Sequence, residues 1–145
     1  MRTLAVRSVV GGLALGLLAV TAVGCASKQH SKPVDPSIIP KLAGQWTGYI
    51  VAQSGSSAPA NLTIDASGNY KIVVPQSDIT TSGNIGVVDG QLRFTRTGIT
   101  GPAQDLAVAS GTFDYSESAD GKIQTISGFG TSDRGPFSGS FTKKP

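Results

Sequence analysis

The sequence predicts an all-β domain, an antiparallel up-and-down eight-stranded barrel, with a two-sheet β-sandwich as the alternative. Three observations predict it. From Leu42 onward no apolar pattern sustains a 3.6-residue period. Short β-rich runs alternate instead with turn residues, at the roughly 8–12-residue spacing of a barrel or sandwich. Finally, Ser67-Gly68-Asn69, Asp89-Gly90 and Asp120-Gly121 supply the positive-φ positions of tight hairpins, which join neighbouring strands antiparallel.

The chain divides into three parts: 1–24, 25–41 and 42–145. A positive leader, Met1 to Arg7, precedes an uncharged stretch of Val, Leu, Ala and Gly from Ser8 to Gly24, the layout of an export signal. As a helix that stretch would span roughly 25 Å, marginal for crossing a bilayer core, so a retained transmembrane anchor is the competing reading. Ala22-Val23-Gly24-Cys25 resembles the lipobox of bacterial lipoproteins, with Ala22 departing from the usual Leu. The resemblance implies that Cys25 is acylated and becomes the mature N-terminus. Two or three acyl chains, at about 0.8 kcal/mol per buried CH₂, would hold a protein on a membrane durably. Ala26, where Asp would mark inner-membrane retention, implies the outer membrane of a bacterial envelope, facing the periplasm.

Residues 26–40 are polar and carry Pro33, Pro36 and Pro40, which predicts an extended spacer. Ile38 and Ile39 are the apolar exception, expected against the open end of the domain.

Strands are expected at 44–53, 59–66, 69–76, 81–88, 91–97, 107–117, 121–131 and 135–143. Alternation supports them: Trp46, Gly48, Ile50 and Ala52 share one face of the first strand, and Phe137, Gly139, Phe141 and Lys143 one face of the last. Leu62 with Ile64, Ile72 with Val74, Leu92 with Phe94, and Phe113 with Tyr115 are likewise in phase. The seventh strand is not. Ile123 and Phe129 both fall out of phase with Ile126, and a bulge near Ser127-Gly128 would restore the pattern. Eight closed antiparallel strands leave an interior that side chains just fill, or that holds one small ligand. Closure also removes edge strands from a domain that has no disulfide, since the chain's single Cys, Cys25, lies before it.

Gly44-Gln45-Trp46-Thr47-Gly48 resembles the Gly-x-Trp opening of the calycin barrels, which include lipocalins and avidins. The resemblance implies that Trp46 plugs one barrel end and that a late basic residue covers the indole. Lys143 is the first choice for that residue and Arg134 the alternative. The chain departs from the avidins in having one Trp, and from the lipocalins in having short strands and no terminal helix. Leu42 to Trp46 is also similar to the opening of small periplasmic metalloprotease inhibitors, with Pro36–Lys41 standing loosely where their inhibitory segment lies.

From Cys25 onward ten Lys and Arg face nine Asp and Glu, so no basic stripe is available to a phosphate backbone and no nucleic-acid partner is expected. The one His, His30, lies in the spacer, so neither a Cys–His pair nor a metal site is expected in the domain, and no cofactor is implied. The Asp residues cluster in turns, where they shape backbone, and no Gly-x-Ser-x-Gly elbow accompanies the many serines. Three function classes therefore stand in order. The first is a non-enzymatic envelope lipoprotein working through contacts with another envelope protein, on loops 53–59, 76–82 and 98–106, with protease inhibition included. The second is a binder of a small hydrophobic ligand lined by Phe94, Phe113, Tyr115 and Phe129, with Gly48, Ala52 and Gly139 leaving room. The third, an enzyme, has no catalytic candidate.

Overall fold

A computed structural model describes residues 32–102 and 105–143. The leader, Cys25 and His30 lie outside the described residues. The eight strands are β1 (Gly44–Ala52), β2 (Ser57–Ile64), β3 (Asn69–Val74), β4 (Ile79–Val88), β5 (Gln91–Thr100), β6 (Val108–Glu117), β7 (Gln124–Ser132) and β8 (Gly135–Lys143). Each pairs antiparallel with the next, and β1 pairs with β8 from Thr47↔Thr142 to Ala52↔Phe137, closing the barrel. The meander follows from the turns. Asp89 and Gly90, at φ +52° and +76°, make the two-residue reversal between β4 and β5. Asp65 builds the β2–β3 turn by accepting from the Ser67 and Asn69 amides at 2.8 and 2.9 Å.

Alternation puts one side chain in two into the lumen. Ile50, Leu62, Ile72, Leu92, Phe94, Phe113, Ile126 and Phe141 are all buried there. A line of rings crosses it. Tyr70 lies against Phe94 with centroids 5.0 Å apart, Phe94 against Phe113 at 4.7 Å, and Phe113 against Phe137 at 6.2 Å. All three pairs are tilted, the arrangement that ring quadrupoles favour.

The expected bulge in β7 does not form. Its register with β6 and β8 is continuous through Ser127 and Gly128, and the irregularities fall instead at Ser82/Gly83 and Val108/Ser110. Gln124, Ile126, Gly128 and Gly130 take the inward phase, Ile123 lies in the preceding turn, and Phe129 points outward, 76% exposed. The physical reason is close approach. A Cβ on Gly128 would lie 2.1 Å from the Thr112 carbonyl oxygen of β6, and one on Gly130 would lie 2.1 Å from the Ser110 carbonyl oxygen and 2.7 Å from the Phe137 ring.

The extended spacer also needs correction. From Pro33 the chain folds across the end of the barrel that carries the β2–β3, β4–β5 and β6–β7 hairpins. The Val34 amide donates to the Gly90 carbonyl at 2.8 Å. A 3-10 turn at Pro36–Ile38, capped by Asp35, runs into one helical turn at Ile39–Leu42. Both turns have proline near their start, where its missing amide costs no hydrogen bond. Val34, Ile38 and Ile39 pack against the core as anticipated for the isoleucines, and Leu42 is fully buried. This strap makes the folded unit begin about ten residues before the expected boundary.

Candidate functional site

Trp46 and Lys143 meet at the strapped end. The indole is buried, and its Nε1–H donates to the Leu42 carbonyl at 2.9 Å, tying the strap to β1. Lys143 Nζ stands 5.6 Å from the ring centroid and donates to the Ala43 and Lys41 carbonyls at 2.5 and 3.3 Å. Gly44, at φ +139°, takes a backbone conformation that favours glycine, and a Cβ there would also crowd the lysine Cε at 2.8 Å. Arg134 sits in the β7–β8 turn at the opposite end, so the cover over Trp46 is Lys143.

The opposite end is closed by the β5–β6 connection. Leu106, Ala107 and Val108 are buried beneath a forked pair in which Arg96 donates to both Asp133 oxygens, at 2.5 and 3.0 Å. Those two hydrogen bonds hold the Asp133 carboxyl below the usual carboxylate range. Arg96 Nη1 also reaches the Ala107 carbonyl at 3.4 Å. Within the lumen, the Tyr70 hydroxyl and Thr81 Oγ1 are buried with no hydrogen-bond partner among the described residues. Burial pushes the Tyr70 phenol up to about 12, with the Arg96 charge opposing.

The four residues expected to line a ligand cavity do not come together. Phe94 and Phe113 pack on each other in the core. Tyr115 stands half-buried at the barrel rim with its hydroxyl 3.5 Å from Glu117 Oε2, and burial, then Glu117, raises its phenol. Phe129 is on the outside. The small inward residues leave little room. Gly48 is a point of close strand approach, where a Cβ would collide with the Ser140 carbonyl, and a Cβ on Gly139 would touch Phe113, Phe141 and Phe137 at 3.4–3.6 Å.

Several grooves open on the outside of the molecule. One of about 1050 Å³ lies between the strap and the β6–β7 hairpin, with Lys32, Lys41, Asp35, Asp114, Tyr115 and Glu117 on its walls. Its charges are mixed in sign, and Pro36–Lys41, the stretch compared with an inhibitory segment, is folded into the plug beside it. Among the described residues no group of three His, Cys, Asp or Glu side chains gathers to hold a metal, and no helix is long and apolar enough to cross a membrane.

Two more grooves border the outer wall made by β7, β8, β1 and β2, which the sequence does not single out. One of about 840 Å³ runs from β6 onto β8, bounded by Thr112, Asp114, Phe129, Thr131 and Ser138, and one of about 400 Å³ is bounded by Tyr49, Pro59, Asn61 and Ser140. None of the outward positions on these four strands is charged, and more than half are Ser or Thr. Tyr49 is 62% and Val51 42% exposed beside Phe129. The register places Ser138 between Phe129 and Val51, and Ser140 beside Tyr49, so the exposed apolar groups form one cluster. The signal lay in the complementary phase of the strands, whose inward members alone had been read.

Fold and site together define a small calycin-like barrel, closed, with a core of its own aromatic side chains. No protein-family model matches the chain, and no curated protein matches it in sequence. Among solved structures it is similar to "NMR structure of the protein from Burkholderia xenovorans", with 13% identity, a TM-score of 0.42, and coverage of 79% of this chain and 92% of that one.

Proposed function

We propose that this chain is a bacterial envelope lipoprotein, anchored through acylated Cys25, whose barrel is a non-enzymatic binding scaffold that works through its outer wall. The observation that carries the reading is the contrast between lumen and wall. Rings from Tyr70 to Phe137 occupy the interior, while an uncharged wall exposes Phe129, Tyr49 and Val51. Apolar groups exposed in a cluster, rather than singly, mark contact surfaces. A ligand-carrying barrel would show an open lumen. The anchoring half rests on the lipobox-like Ala22-Val23-Gly24-Cys25, and a tether from Cys25 would join the barrel at the strapped end.

Native mass spectrometry of the protein purified from its own envelope tests both halves. The expected mass is that of the chain from Cys25 with its acyl groups and no small molecule. A stoichiometric small ligand would overturn the scaffold reading. An unmodified N-terminus would overturn the anchor, as would a Cys25→Ala protein that stays in the membrane fraction.

A further inference from the structure

The character of the wall narrows the partner. A protein interface is built around a close-packed apolar centre. Here the large exposed apolar groups are three, Tyr49 and Val51 adjoining on β1 and Phe129 across Ser138 on β8, and Ser, Thr and Asn surround them, so the apolar centre is small for a stable protein interface. Nucleic acids and anionic lipid headgroups require Lys or Arg, and the outward positions of these four strands carry none. What remains is a partner that is uncharged, rich in hydroxyl or amide groups, and equipped with flat C–H faces on which an aromatic ring can stack. Sugar rings in a polysaccharide have all three properties.

The geometry agrees. Tyr49 and Phe129 are two strands apart and two residues out of line. With strands about 4.8 Å apart and a rise of about 3.4 Å per residue, their Cα atoms are separated by roughly 12 Å, comparable to a disaccharide unit. Each ring borders its own groove, with Asn61 and Ser140 beside Tyr49, and Thr131, Ser138 and, from the neighbouring β6, the Asp114 carboxylate beside Phe129. These hydroxyl and amide groups can donate to and accept from sugar hydroxyls.

We propose that the uncharged wall of β7, β8, β1 and β2 binds an uncharged β-linked polysaccharide, the glycan strand of the bacterial cell wall, with Tyr49 and Phe129 stacking on its sugar rings. The proposal rests on the envelope-scaffold reading and names that scaffold's partner.

The test is co-sedimentation of the full-length protein, in mild detergent, with isolated peptidoglycan sacculi and with insoluble chitin as a peptide-free glycan. Both should retain the protein. Retention should hold as salt is raised, because no ion pair is involved. Tyr49→Ala and Phe129→Ala should each weaken binding about tenfold, with far-UV circular dichroism unchanged, and Phe129→Tyr should restore it. Retention on sacculi but not chitin would assign the binding to the wall peptides and overturn the proposal. Equal retention of the alanine variants would overturn it too, as would a wild-type dimer that both variants convert to monomer. A folded monomer that binds neither solid would defeat the glycan assignment while leaving the anchored scaffold standing, since that reading is judged by mass.

Discussion

Replacing Trp46 probes the junction on which the closed barrel depends. The indole is buried, so Trp46→Ala removes a large apolar group from a site whose neighbours, Leu42 in the strap's helical turn, Leu62 on β2 and the Lys143 stem on β8, are held by their own backbones. Substitutions of this kind cost about 3–5 kcal/mol. Two further contributions can be separated. Trp46→Phe keeps most of the apolar volume but strands the Leu42 carbonyl, at a cost of about 1–2 kcal/mol. Lys143→Met keeps the aliphatic stem and loses both the charge over the ring and the bonds to the Ala43 and Lys41 carbonyls, again about 1–2 kcal/mol. In the Trp46→Ala background the lysine change should cost about 0.5–1 kcal/mol less, because no ring remains beneath it. Urea denaturation followed by far-UV circular dichroism measures all four proteins. A loss below about 1 kcal/mol for Trp46→Ala would mean that the indole is no plug. Strictly additive losses would mean that Lys143 and Trp46 do not interact.

Three other perturbations examine the lumen and its far end. Tyr70→Phe removes a buried hydroxyl that has no partner, so thermal unfolding should show a gain of about 1 kcal/mol. Because burial raises the folded-state phenol above its unfolded value, this residue's contribution is complete below pH 10 and is lost toward pH 12, and the phenylalanine variant should lack that alkaline decline. The Asp133 carboxyl is lowered on folding, so its contribution is present above the ordinary carboxylate range and disappears as the pH falls through its folded-state value. Denaturation profiles of Asp133→Asn should therefore be flatter on the acid side. Gly139→Val places methyl groups among three rings that already meet a Cβ at contact distance, and should cost about 1–3 kcal/mol in urea unfolding; a neutral result would reveal unfilled space.

Most of the barrel was legible in local signals. The phase of Trp46, Gly48, Ile50 and Ala52, matched by Phe137 to Lys143, brings the first and last strands together, and Asp89-Gly90 dictates a two-residue reversal. What escaped was non-local. Phe129 is apolar and reads as an inward, ligand-lining residue, yet β7 runs so close to the β6 backbone at Thr112 and Ser110, and to the Phe137 ring of β8, that glycine takes the inward places at 128 and 130. Pro33, Pro36 and Pro40 read as a spacer because proline breaks regular structure, but two of them start short helical turns held down by Ile38, Ile39 and Leu42. The outer wall was invisible because its evidence is a shared lack of charge across strands widely separated in sequence. Only the closed register brings β7 and β8 beside β1 and β2.

The most direct test of a scaffold that acts through its wall is site-specific photocross-linking in living cells. A photoreactive amino acid replaces Phe129 on the proposed contact wall or Arg93, an exposed residue on β5 outside it. The account predicts capture of envelope material from position 129 and little from position 93. Equal capture from the two positions, or capture from 93 alone, would contradict it.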